Sequence, residues 1–185
     1  STDYVFNGKE GPYLEDDPVD PISVYGKSKL AAEKYLMNSN IPHTIVRANV
    51  LYSYAPATKA SFLKWVIESL KDSKAINVVS DQWNNPTSTN SLSDFINRIA
   101  LSQTSGLYHY ADRGIMSRFE FAKTIASVFD LDSSLIKPVL TSDLNQIAPR
   151  PLKSGLRTQK INKELSIYPP EVKESLKSIY NTLLP

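Results

Sequence analysis

The chain has 185 residues, 41% of them hydrophobic and 22% charged, which is the composition of a folded globular protein and not of a disordered one. Its net charge of +2 comes from interspersed lysines and carboxylates with no basic stripe, so nothing points to nucleic acid, and no apolar run approaches the ~18–20 residues of a membrane span. The absence of cysteine excludes disulfides, thiolate catalysis and Cys-zinc sites, and agrees with a cytoplasmic protein.

The first segment, Ser1–Gly8 ("STDYVFNG"), presents two hydroxyls, a carboxylate and a phenol before an apolar pair and a turn. Polar side chains where a buried strand ends are how open α/β sheets build sites at their carboxyl edge; a plain polar loop is the alternative. Glu15, Asp16, Asp17 and Asp20 follow and read as a solvated acidic loop ahead of a helix N-terminus, with a magnesium or calcium site as the less favoured reading. The pattern predicts helices over Val24–Met37, Ser61–Lys71, Leu92–Leu101, Arg118–Phe129 and Pro170–Leu184, and strands over His43–Val46, Ala75–Val79 and Leu107–Tyr110. Ser91, Ser117 and the Pro169-Pro170 pair stand where helices begin. Such alternation predicts α/β units around a mainly parallel sheet.

Asp81–Asn90 and Thr141–Leu156 read as ordered loops. Within them, Trp83 either serves a ligand or packs, and Arg150, between two prolines, either pairs with a diphosphate or lies free on the surface. Trp65 reads as core or subunit interface. His43 and His109 fall in predicted strands with no third ligand in register, so no metal site is expected.

Tyr25 and Lys29 stand at i and i+4 on the first helix, which puts them on one face. A tyrosine hydroxyl titrates near 10; an ammonium about 4 Å away favours the phenolate by ~4 kcal/mol at an effective dielectric of 20, or about three pKa units. That would prepare Tyr25 for proton transfer near neutrality. Packing at a helix end is the plain alternative, although of the ten tyrosines only Tyr25 has a lysine four residues later.

Taken together, "STDYVFNG" and "YLEDDPVDPISVYGKSKLAAEKYL" closely resemble the extended short-chain dehydrogenase/reductase family, and within it the dTDP-4-dehydrorhamnose reductase group. The likeness continues through "VRANVLYS", "DQWNNPT", "SGLYHYA" and "APRPLKSGLRTQKI" and so spans nearly the whole chain. It implies NADPH- or NADH-dependent reduction of a 4-keto sugar nucleotide. Thr2 would hydrogen-bond the keto oxygen, Tyr25 would donate the proton, and Lys29 would lower the Tyr25 pKa and bind the nicotinamide ribose. Asp3 and Tyr4 would line the sugar pocket, with Trp83 and Arg150 as further substrate contacts. The dehydratases of the family follow the threonine with Asp-Glu; here Asp3 precedes Tyr4, which favours a reductase.

The implied fold is part of a doubly wound, Rossmann-like parallel sheet plus a smaller C-terminal α/β substrate-binding portion. Residues 1–55 would form the back part of the dinucleotide-binding domain, and 56–185 mainly the substrate portion, with some segments returning to the first. Two departures qualify the likeness. There is no Gly-rich phosphate turn and only six glycines, so the resemblance is to the back two thirds of a reductase, and a homodimer contact or partner chain is expected to cover the open sheet. Val50 stands where the group has tryptophan, and Asn84 where it has glycine, changes that resemble the non-catalytic, NADP-binding β subunit of methionine adenosyltransferase.

Overall fold

The computed structural model describes residues 1–54 and 61–183. The boundary drawn between residues 55 and 56, and Leu184 at the end of the last helix, lie outside the described residues. In chain order the elements are α1 (Val24–Met37), β1 (Thr44–Ala48), β2 (Leu51–Tyr52), α2 (Phe62–Lys71), β3 (Ile76–Val79), β4 (Trp83–Asn84), β5 (Thr87–Ser88), α3 (Thr89–Leu101), β6 (Gly106–Tyr110), β7 (Met116–Ser117), α4 (Arg118–Val128), β8 (Ile136–Val139), α5 (Gln159–Leu165) and α6 (Val172–Leu183).

The larger sheet forms because β-branched and aromatic residues, "TIV" and "LYHY", fit a pleated, half-buried surface. β1 and β6 pair in parallel, from Thr44 opposite Gly106 to Ala48 opposite Tyr110. The Ser1–Thr2 segment runs parallel on the other side of β1: Ser1 N donates to Val46 O at 2.7 Å, and Thr2 bridges to Ala48. Thr2 therefore stands at the carboxyl end of the sheet. Ile45 and Arg47 are buried on one face, while Thr44, Val46 and Ala48 turn to the other.

A second core gathers α2, α4 and α6 around the parallel pair β3–β8. Leu63, Val66, Ile67 and Leu70 recur at helical spacing on α2 and are all buried there. Two sequence expectations hold closely: α1 matches residue for residue, and Ser117 caps α4 in a full capping box with Glu120.

Several others are corrected. Ser91 lies inside α3; Ser88 is the cap, and the Ser91 hydroxyl donates to Asp112 at 2.5 Å. The last helix starts at Val172, beyond the prolines, and His43 precedes β1. β8 escaped the pattern because Pro138 sits within it, and α5 because it is only seven residues long. Glu15 is not solvated. It is buried, and its carboxylate accepts the His109 backbone N–H at 2.8 Å.

Candidate functional site

The site is built on a single turn of 3-10 helix, Asp3–Val5, that leaves the sheet edge. Val5 and Phe6 anchor it: both are fully buried, and Phe6 stacks on Tyr13 at 4.2 Å with the Arg47 guanidinium 5.1 Å from its centroid. The Thr2 hydroxyl caps the turn by accepting from Tyr4 N at 3.2 Å and donates to Asp3 Oδ1 at 3.0 Å. From the far end of the chain, Ser154 Oγ donates to Asp3 Oδ2 at 2.6 Å. Burial pushes the Asp3 carboxyl up to about 6, against the pull of the Ser154 and Thr2 hydrogen bonds and the Arg118 charge.

α1 brings the Tyr–Lys pair to this turn. Ser23 caps it by accepting from Gly26 N at 3.1 Å. Gly26 explains the glycine after Tyr25: a Cβ there would collide with the Tyr4 carbonyl oxygen and with Pro21, so only glycine lets the helix approach this closely. The approach sets Tyr25 edge-on to Tyr4, ring centroids 5.8 Å apart at 81°. Lys29 Nζ lies 5.7 Å from the Tyr25 ring centroid, on the same helix face. Tyr25 is 51% exposed and stands on the wall of an open cavity.

Thr2, Asp3, Tyr4, Tyr25 and Arg150 line one cavity of about 710 Å³. Lys29 stands behind Tyr25, not on the cavity wall, where Lys27 appears in its place. Trp83 is elsewhere. It lines a separate cavity of about 160 Å³ with Pro12 and Ile115, and its backbone pairs with Leu152 and Ser154. Asn84 is buried in the β4–β7 pair, away from the cavity, whereas Val50 is on the cavity wall with φ of 39°, a left-handed conformation that strains a β-branched residue.

The sequence reading missed Arg118. It opens α4, reaches the same cavity, and lies 5.3 Å over the Phe62 ring. Burial lowers its pKa, the Arg150 charge lowers it further, and Tyr4 and Asp3 oppose. A cation on the first turn of a helix opposes the helix dipole, and that was the legible signal. Burial also raises the Tyr4 hydroxyl, with the neighbouring Asp3 adding to the effect and Arg150 and Arg118 countering it. Two guanidiniums converging beside a phenol and a threonine can hold a diphosphate while a carbonyl is presented to Tyr25.

The RmlD substrate binding domain model matches residues 1–184. The chain is 35% identical to the spore coat polysaccharide biosynthesis protein SpsK of Bacillus subtilis, covering 96% of this chain and 61% of that protein. It is 35% identical to the dTDP-4-dehydrorhamnose reductase of Sinorhizobium fredii, covering 100% of this chain and 65% of that one. The crystal structure of dTDP-4-dehydrorhamnose reductase from Bacillus anthracis in complex with NADP superposes with a TM-score of 0.90 at 32% identity, covering 98% of this chain and 64% of that one. The β subunit of rat methionine adenosyltransferase 2 matches at 29% identity over 87% of this chain and 50% of that protein. The chain thus spans less than two thirds of the length of these relatives.

Proposed function

The chain belongs to the RmlD substrate binding domain family, and on that footing we propose NAD(P)H-dependent reduction of the ketone of a 4-keto sugar nucleotide. The observation that carries this reading is the single cavity that joins Thr2, Tyr25, Arg118 and Arg150.

As a ketone is reduced its oxygen gains negative charge, and a positioned donor stabilises it. In this reading Tyr25 gives the proton from its half-exposed ring, with solvent able to replace it. Thr2 hydrogen-bonds the same oxygen, Asp3 and Tyr4 wall the sugar pocket, and Arg150 with Arg118 holds the diphosphate. A bound nicotinamide, of NADPH or NADH, supplies the hydride. Lys29 and Tyr25, one turn apart on the same face, suit the vicinal hydroxyls of its ribose. Those two residues fit the nicotinamide-ribose end of the cofactor, and the sequence has no G-x-G-x-x-G for its pyrophosphate. Further polypeptide, a partner chain or a second copy, covers the open face of the β1–β6 sheet.

Val50 supports a second reading, a non-catalytic NADP-binding regulatory protein, because a strained valine occupies the wall where the reductase group has tryptophan. The two are separated by following NADPH and NADH absorbance with the full-length protein and a panel of dTDP-4-keto-6-deoxy sugars. Oxidation of cofactor supports the reductase. Tight cofactor binding with no oxidation across the panel supports the regulator.

A further inference from the structure

The Thr2 hydroxyl has one proton to give and two lone pairs to offer. One lone pair already takes the Tyr4 N–H at 3.2 Å, and the proton points at Asp3 Oδ1 at 3.0 Å. What Thr2 can present to the cavity therefore depends on Asp3. That carboxyl is 2% exposed and is gripped from its other oxygen by Ser154, itself 2% exposed, at 2.6 Å. Ser154 follows Arg150 on the same loop, and Lys153 N is held by Gly8 O at 2.8 Å, so this loop is fastened to the segment that carries Thr2.

We propose that Asp3 is a positioning residue that decides whether the Thr2 hydroxyl donates to, or accepts from, the oxygen at the reacting carbon of the sugar. The proposal rests on the reading of Thr2 as the group beside that oxygen. When Asp3 is ionised it accepts from both Ser154 and Thr2. The Thr2 proton is then committed, and only a lone pair faces the cavity. A ketone oxygen cannot use a lone pair, but the hydroxyl of the reduced product can donate to one. When Asp3 carries a proton on Oδ1, that proton goes to Thr2 Oγ1, the Thr2 O–H is released into the cavity, and the ketone gains a donor. Proton uptake by Asp3 thus favours the ketone, and proton loss favours the alcohol.

The charged and titratable groups around Asp3 are few. Arg118 from α4 favours the ionised form, Tyr4 lies on the same turn, and Arg150 faces Tyr4. Burial outweighs the arginine and places the change near pH 6, within reach of ordinary assay conditions.

The test measures binding without turnover. In full-length protein carrying Tyr25→Phe, the affinities of a dTDP-4-keto-6-deoxy sugar and of its 4-hydroxy product are determined by calorimetry from pH 5 to 8. The ketone-to-alcohol affinity ratio is expected to fall about five- to tenfold as pH rises, the worth of one hydrogen bond. Adding Asp3→Asn should hold the ratio at its low-pH value throughout, because the carboxamide N–H donates permanently to Thr2 while its oxygen still accepts from Ser154. Adding Ser154→Ala removes a donor that stabilises the carboxylate and should move the crossover to higher pH. A ratio flat with pH, an equal pH dependence in the Asp3→Asn variant, or an unmoved crossover in Ser154→Ala would overturn the proposal. Wild-type turnover by Tyr25→Phe alone would instead sink the reading of the site on which it rests.

Discussion

Glu33 of α1 and Arg47 of β1 form a two-bond ion pair: Nε meets Oε1 at 2.9 Å and Nη2 meets Oε2 at 2.7 Å, with both side chains buried. Burial alone would push the Glu33 carboxyl up, but the hydrogen bonds from Arg47 and Ser1 outweigh it and hold the carboxyl below its ordinary value. The pair locks the tyrosine helix to the sheet that carries Thr2. Removing one partner strands a buried charge, so Glu33→Ala and Arg47→Ala should each cost about 3–5 kcal/mol in urea denaturation. The double variant should cost clearly less than the sum. Strict additivity would mean that the two residues do not act as a pair.

At Tyr25, removal of one oxygen separates chemistry from binding. Tyr25→Phe keeps the ring that meets Tyr4 edge-on and the contact with Lys29, and loses only the hydroxyl to which the proposed function gives the proton transfer. Steady-state kinetics on the full-length protein should show kcat lowered by ~10²–10⁴ with KM little changed. An unchanged kcat would remove Tyr25 from the reaction.

The spacing of Tyr25 and Lys29, the Ser117 cap and the amphipathic face of α2 were legible because each is local, set by residues within one or two helical turns. The pieces that complete the site are not local. Ser154 meets Asp3 across 151 positions and Glu15 meets His109 across 94, and no periodicity encodes such contacts. For Trp83 the sequence left ligand contact and packing open, and what separates it from Tyr25 and Arg150 is again distant: backbone pairing of Trp83 with the Leu152–Ser154 segment, which puts its side chain in a different cavity. Arg118 left one local trace, a cation set against the dipole at the start of α4, and that trace does not say what it meets. Only the fold shows that it shares a cavity with Arg150 and Tyr4.

Two guanidiniums on one cavity wall predict a charge-dependent affinity. Arg150→Ala and Arg118→Ala should each raise the KM for the sugar nucleotide about 10- to 100-fold, the range for a hydrogen bond to a charged group, with smaller effects on kcat. The same variants should lower the sensitivity of KM to added salt. Equal KM values for the parent and both variants would place the diphosphate elsewhere.

His109 sets an acid limit on stability. Its ring is fully buried, with Nδ1 at 3.2 Å from Tyr13 O and Nε2 at 3.4 Å from Arg47 Nη1. The guanidinium donates, so Nε2 accepts and Nδ1 carries the hydrogen. Burial and the Arg47 charge lower the pKa from 6.5 to about 3. The unfolded chain therefore binds a proton between pH 6.5 and about 3 while the folded chain does not, and stability is complete above that window and lost as pH falls through it. Asp3, raised from 3.8 to about 6, works in the opposite sense, because the folded state holds the extra proton there. His109→Gln should flatten the fall in the urea midpoint between pH 6.5 and 4.5, and Asp3→Asn should steepen it. Slopes identical to the parent in both variants would mean that neither group titrates differently on folding.

The main sheet has an open side. Thr44, Val46 and Ala48 of β1 line a largely apolar cavity of about 880 Å³ with Leu92, Ile96 and Ile99 of α3, and Ile96 is 45% exposed. Parallel sheets are normally covered on both faces, and a bare apolar face of this size invites a cover. The Ser1–Thr2 segment is held to β1 by Ser1 N to Val46 O at 2.7 Å and Ala48 N to Ser1 O at 3.5 Å, and the Ser1 hydroxyl reaches Glu33, but no second strand pairs with it among the described residues. In the 185-residue chain by itself, the Thr2 hydroxyl, which the proposed function sets beside the substrate oxygen, would ride on a segment with one strand partner. The relatives extend beyond the matched region by more than a third of their length, which is chain enough to cover that face and to supply a phosphate-binding turn. Residues 1–185 produced alone should therefore bind NADPH very weakly and turn over no sugar nucleotide, while the full-length protein does both. Calorimetric titration of the 185-residue chain with NADPH decides the matter: micromolar affinity would mean that its own residues hold the cofactor pyrophosphate without a glycine-rich turn.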